Sequence, residues 1–220
     1  MLNKLNTVPK IPIDVNELLA KFSIQAVNIP NANLTDWLAA NGILNEYDEH
    51  LLAKVAALLI NNNVNDWFEE DLKMKAISLI MFLADIDEVN KIGVFYERSL
   101  NWKTDTFSIA VVSDCMVASV RGRGGAGVPH FFLQEFKKSK GDKSDPEAQM
   151  LAAMIIAQHQ NNNSKVIYGA YVMGRNWYFS VLESNEYRIS EALDMTNAPT
   201  LRRIVFILRQ VKQLILTTLM

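Results

Sequence analysis

The chain has one cysteine, Cys115, and three histidines in 220 residues. A lone thiol closes no internal disulfide, and His50, His130 and His159 have no spacing that builds a zinc site, so a reducing compartment is expected. Glycine (9) and proline (6) are sparse, which excludes collagen-like and low-complexity chains. No apolar run approaches the roughly 18 to 20 residues of a membrane helix. The longest candidates, around residues 51–60 and 77–84, are the size of core helices. The N-terminus, MLNKLNTVPKIPID, has two lysines but neither a continuous apolar stretch nor a small-residue cleavage site, so no secretory signal is expected. A cytoplasmic protein without a membrane partner is the resulting expectation. There is also no excess of one charge. The 22 Lys and Arg against 24 Asp and Glu leave a net −2, which excludes a strongly basic nucleic-acid coat.

What is present is a large apolar fraction, 50%, enough for a sizeable core. The charge is unevenly divided. Residues 1–120 hold 9 basic and 16 acidic side chains, whereas residues 121–220 hold 13 and 8, so an anionic ligand is better received by the C-terminal half.

The pattern starts with helices. Asp14 opens DVNELLAKF, NLTDWLAAN follows and stops at Asn41-Gly42, and Asn45 caps EYDEHLLAKVAALLI. After the break at Asn61–Asn63, Asn65 or Asp66 caps the largely apolar WFEEDLKMKAISLIMFLADI. Beyond Asn90 the period becomes two. IGVFYERSL, DTFSIAVVSDCMVASVRG and PHFFLQEFKK read as three antiparallel strands. Asp145-Pro146 starts the helix PEAQMLAAMIIAQHQ, KVIYGAYVM and NWYFSVLE form a hairpin over Gly174-Arg175, and an amphipathic helix runs from about Thr200 to the end. The fold class is α/β.

Chemistry concentrates in the second and third strands. Alternation in FFLQEFKK puts Leu133, Glu135 and Lys137 on one face and Phe132, Gln134 and Phe136 on the other. Asp114 shares a face with Val112, Met116 and Ala118, an apolar stripe. Ionised groups at such places carry a desolvation cost of several kcal/mol each unless paired or metal-bound. If the two strands are neighbours, Asp114 and Glu135 meet in an oxygen-rich site suited to a hard divalent cation, Mg²⁺ first. The alternative is a buried carboxylate–lysine pair that supports the sheet.

Asp114, twenty intervening residues, Glu135-Phe136-Lys137 and a following helix with Gln149 together resemble the PD-(D/E)XK nuclease superfamily. The resemblance covers roughly residues 65–180. It implies a restriction-endonuclease-like αβββαβ core with a mixed central sheet in residues 65–220, the C-terminal helix included, and a helical elaboration in residues 1–64. It further implies that Asp114, Glu135 and the backbone carbonyl of Phe136 hold Mg²⁺ or Mn²⁺ while Lys137 orients or activates water. The substrate would be nucleic acid, DNA ahead of RNA, and the reaction phosphodiester hydrolysis. The family often adds a glutamate from a helix before the strands. Glu70 is favoured, because Met74 and Ile77 continue its apolar stripe, whereas Glu69 is followed by Lys73 as in an ordinary exposed ion pair. Gln149 shares a helix face with Ala152, Ala153 and Ile156, which directs its amide at the site. Ser113, not Pro, precedes Asp114, as many relatives tolerate, and Ala153 stands where one branch has Tyr. A non-catalytic interaction module on the same fold is the competing class, and a homodimer is compatible with either.

Other motifs carry less. GRGGAG at residues 122–127 satisfies GxGxxG but joins two strands, so it reads as a loop with Arg121 and Arg123 near the site and not as a dinucleotide fingerprint. Lys138, Lys140 and Lys143 read as a solvated turn, and Arg202, Arg203, Arg209 and Lys212 as the solvated face of the last helix. The aromatics of YGAYVMGRNWYF read as sheet packing.

Overall fold

A computed structural model describes residues 8–122, 125–137, 145–162 and 166–219. Arg123, Lys138, Lys140 and Lys143 lie outside the described residues. The helices are α1 (Val15–Phe22), α2 (Ala32–Leu38), α3 (Glu46–Ile60), α4 (Glu69–Leu72), α5 (Ser78–Ala84), α6 (Pro146–Gln160) and α7 (Ala198–Leu219). The strands are β1 (Gln25–Ala26), β2 (Ile92–Lys103), β3 (Ser108–Arg121), β4 (Gly125–Lys137), β5 (Ile167–Met173), β6 (Asn176–Glu183), β7 (Glu186–Ile189) and β8 (Leu193–Asp194). All belong to one sheet of order β1-β7-β6-β5-β4-β3-β2, with β8 on β6. The sheet is mixed. β3 runs antiparallel to both of its neighbours, β2 and β4, whereas β4 and β5 are parallel, and α6 makes the crossover that a parallel pair requires. Among the described residues no helix is long and apolar enough to cross a membrane.

Helix starts follow the side chains that satisfy them. Asn31, Asn45 and Asp145 each accept hydrogen bonds from backbone N–H groups of the first turn, and Pro146 occupies the first turn of α6. α2 therefore begins at Ala32, capped by Asn31, slightly before the expected start. The sheet's two faces bury separate cores. On one lie α1 and α6, with Leu151, Ala153, Met154 and Ala157 against Met116, Ala118, Ile167 and Leu182. On the other lie α2, α3, α5 and α7, with Leu52, Val55, Ile80, Ile204 and Leu208 over Cys115, Val117, Phe136, Val172, Trp177 and Phe179. Each Leu, Ile, Val, Met or Phe side chain among these contributes about 1.5–3 kcal/mol by leaving water. Trp37 Nε1 donates to the Ile207 carbonyl at 2.8 Å, tying α2 to α7.

Two features set the distances of the layers. A Cβ on Gly169 would stand 2.7 Å from Met154 Sδ and 2.9 Å from Ser180 Oγ, so the absent side chain lets α6 approach β5. Between α4 and α5 the chain makes a π turn over Lys73–Ile77. A π turn uses more residues per turn than an α-helix, so side chains after it are rotated from the positions a 3.6-residue period projects. Met74 is accordingly exposed, although it was expected to continue a stripe toward the sheet. The basic groups of α7 are not only a solvated face. Arg209 bonds Asp48 and the Leu83 carbonyl, and Lys212 lies 3.2 Å from Glu88, which links α7 to α3 and to the segment after α5.

Candidate functional site

The sheet forks at Asp114. Pairing of β3 with β4 ends at Cys115–Gln134, while β4 stays paired with β5 through Lys137–Met173 and β3 stays paired with β2 to its far end. In place of a backbone carbonyl, Asp114 Oδ2 accepts the Phe136 N–H at 2.7 Å. In an extended strand the N–H and C=O of one residue point the same way, so the Phe136 carbonyl also faces the fork, while its ring is buried at 2% exposure in the α7-side core. The β2–β3 ladder is perturbed at the same level. It passes from Tyr96–Cys115 to Arg98–Ser113, with Glu97 between them at φ 52°, a conformation uncommon for a residue with a Cβ. Inward-facing residues of β3 change from Ile109 and Val111 to Met116 and Ala118 across this point. Ser113, Asp114 and Cys115 are all buried, whereas Val112, expected on Asp114's apolar stripe, is 49% exposed.

Asp114, Glu135 and Lys137 are 8%, 1% and 9% exposed. Glu135 shares a hydrogen bond with Asp114, and its Oε1 is buried with no partner among the described residues. Burial first, and then the Asp114 charge, push the Glu135 carboxyl up to about 9, with the Lys137 ammonium only partly opposing them. The acid is thus protonated at neutral pH unless a further positive charge arrives. Burial likewise pushes the Cys115 thiol up, and the same two acids reinforce it, so Cys115 is an unreactive core group.

α4 brings the remaining charges. Glu69 Oε2 lies 3.3 Å from Lys137 Nζ, and Glu69 Oε1 lies 2.9 Å from Lys73 Nζ. Lys73 Nζ also reaches Asp114 Oδ1 at 3.1 Å and Glu97 Oε1 at 3.5 Å. Burial works against the Lys73 ammonium, but its hydrogen bond to Glu69 and the Asp114 charge outweigh this and raise its pKa. The helix carboxylate beside Lys137 is therefore Glu69, and Glu70, the favoured candidate, points to solvent. The expected exposed Glu69–Lys73 pair is in fact inserted between Asp114 and Lys137.

Gln149 lies in the first turns of α6, half-buried, and its Oε1 is shielded without a hydrogen-bond partner among the described residues. Beside the fork on β5, Tyr171 is in register with Glu135 and stacks on Tyr178 with centroids 4.5 Å apart. Tyr171 and Tyr187 donate to Glu147 at 3.5 and 3.1 Å.

Lys73, Glu97 and Tyr171 were not singled out from the sequence. Lys73 sat in a visible Glu69–Lys73 spacing, but the π turn that aims it leaves no trace in an apolar periodicity. Tyr171 reaches Glu135 only through the parallel β4–β5 register.

The oxygen groups at the fork fit a hard cation in kind: two carboxyls, one with an unpartnered buried oxygen, and a carbonyl. They form a small set. Among the described residues no three His, Cys, Asp or Glu side chains converge as a metal cluster. With Glu135 protonated, Glu69, Glu97 and Asp114 against Lys73 and Lys137 leave one uncompensated negative charge, and release of the Glu135 proton to an arriving cation makes it two. No family model and no curated protein matches the chain.

Proposed function

We propose that this chain is a metal-dependent nuclease of PD-(D/E)XK type, a cytoplasmic phosphodiesterase that acts on nucleic acid, with DNA the first substrate to test and RNA the second. The helical segment α4–α5, strands β2, β3 and β4, helix α6 and strand β5 correspond in this reading to the αβββαβ core of restriction-endonuclease-like proteins. One observation carries it: a buried, unpartnered Glu135 oxygen beside Asp114 at the point where two strands of the sheet separate. An acid left in this condition costs stability, and a cation recovers that cost.

Asp114, Glu135 and the Phe136 carbonyl would hold Mg²⁺ or Mn²⁺. Such an ion, when bound, lowers the pKa of a water and offsets charge on phosphoryl oxygens. The chain's own groups do the rest. Lys137, fixed by Glu69, donates a hydrogen bond to the attacking water and sets a positive charge near it. Glu69 restrains the ammonium so that it does not fold onto Glu135. The Phe136 N–H keeps one Asp114 oxygen in place. The Gln149 amide, its Oε1 unpartnered, is available to orient substrate.

A second reading is favoured by one contact. Asp114 already has an N–H on one oxygen and the Lys73 ammonium on the other, an arrangement that suits a non-catalytic module stabilised by its own cation. A cleavage assay separates the two. Supercoiled plasmid, single- and double-stranded DNA and RNA are incubated with Mg²⁺ or Mn²⁺, with chelator as control. The nuclease reading expects metal-dependent cuts that Glu135→Ala reduces at least about 100-fold. No cleavage of any substrate by a folded wild-type protein supports the module.

A further inference from the structure

Lys73 is placed with a care that an incidental ion pair does not need. Two local distortions converge on it, the π turn that begins at Lys73 and the positive φ of Glu97, the carboxylate on the far side of the ammonium. Its Nζ contacts three carboxylates from three elements, Glu69 on α4, Glu97 on β2 and Asp114 on β3. Glu97 is 64% exposed, while the Lys73 side chain is 19% exposed, so the ammonium sits between the buried fork and open solvent. The Asp114 oxygen it touches is the one that the Phe136 N–H leaves free.

Resting on the metal-dependent reading above, we infer that Lys73 is a resident counter-ion that competes with the divalent cation for Asp114. Before an ion arrives, the ammonium holds Glu69, Glu97 and Asp114 in place. An ion bound to Asp114 at about 2.1 Å stands too close to a second cation 3.1 Å from the same carboxylate, and the two repel. Lys73 then gives up Asp114 and keeps Glu69 and Glu97, a movement toward solvent that breaks no other hydrogen bond of the fork. With Lys73 displaced, its positive charge no longer offsets Asp114, and the ion takes over that neutralisation. Lys73 is a positioning residue in this scheme. It lowers affinity for the cation, and it keeps the unloaded acids from repelling one another.

Calorimetric titration of the full chain with MgCl₂ and with MnCl₂ tests this on wild type, Lys73→Gln and Lys73→Arg. Lys73→Gln is expected to bind the ion about tenfold more tightly than wild type, because a nearby positive charge is gone. Lys73→Arg keeps the charge and is expected to bind no more tightly than wild type. Equal or weaker binding by Lys73→Gln, with wild type still binding, overturns the inference and leaves the metal reading intact. Absence of binding in both wild type and Lys73→Gln overturns both. If Lys73→Gln is too destabilised for titration at ambient temperature, its melting from a lower starting temperature with and without 10 mM Mg²⁺ decides on the principle that a ligand stabilises the state it binds. The ion is expected to raise its Tm more than that of wild type, and no ion-dependent rise overturns the proposal.

Discussion

Two acids on adjoining elements, the half-buried Glu147 on α6 and the buried Glu135 on β4, are treated differently by the fold. Burial raises the pKa of Glu147 as it does that of Glu135, but two phenols, Tyr171 and Tyr187, donate to the Glu147 oxygens. Glu135 shares a hydrogen bond with Asp114 and leaves Oε1 with no donor among the described residues. The phenols at Glu147 sit where the strands are fully paired, and Glu135 sits where β3 and β4 part. Glu135 is buried all the same, at 1% exposure, and a buried polar group left unsatisfied is costly. The contrast between a satisfied acid in a closed sheet and an unsatisfied one at an opening sets the proposed site at the fork apart from the tyrosine cluster.

The contrast can be broken most forcefully from the core side. Trp177→Ala removes a fully buried ring from the α7-side face, and a loss of about 3–5 kcal/mol is expected in urea unfolding. Glu135→Gln removes a buried ionisable group without changing its shape, and its unfolding midpoint is expected to equal or exceed that of wild type. A comparable loss in both variants would mean that Glu135 is a structural group like any other.

The next effect is in pH. Glu135 has its folded pKa raised to about 9 from an ordinary 4.5, so the folded protein binds the extra proton between those values. Its stabilising contribution is fully present below the unfolded pKa and is lost as pH rises through the folded one. Metal-free protein should therefore lose thermal stability between about pH 4.5 and 9, by several kcal/mol at most. Glu135→Gln should flatten that slope, and an unchanged slope in the variant assigns it to other groups.

The smallest effect sharpens the assignment on α4. Glu69→Gln releases Lys137 and is expected to lower metal-dependent cleavage roughly tenfold, while Glu70→Gln leaves the rate within about twofold. Equal losses would mean that the charge of the helix, and not the contact to Lys137, matters.

Much of this architecture was legible because it rests on local chemistry. Asn45 and Asp145-Pro146 announce α3 and α6 through the N–H groups they satisfy, and the change to period two after Asn90 announces β2 to β4. The strand alternation that set Glu135 and Lys137 on one face was readable for the same reason. What escaped depends on tertiary partners. Gln25–Ala26 and Leu193–Asp194 are strands of two residues made by backbone pairing alone, with no periodicity to detect. Glu69 replaced Glu70 beside Lys137 because a π turn follows α4, and an extrapolated helical stripe cannot register it. The β3–β4 fork is likewise a matter of where pairing stops, which no single strand encodes.

The central claim, that the fork holds a divalent cation, is tested most directly by growing crystals, soaking them in Mn²⁺ and mapping anomalous scattering. The account predicts one strong peak about 2.0–2.3 Å from oxygens of Asp114, Glu135 and the Phe136 carbonyl. A map with no peak at the fork under saturating Mn²⁺, and Lys73 still seated on Asp114, would contradict it.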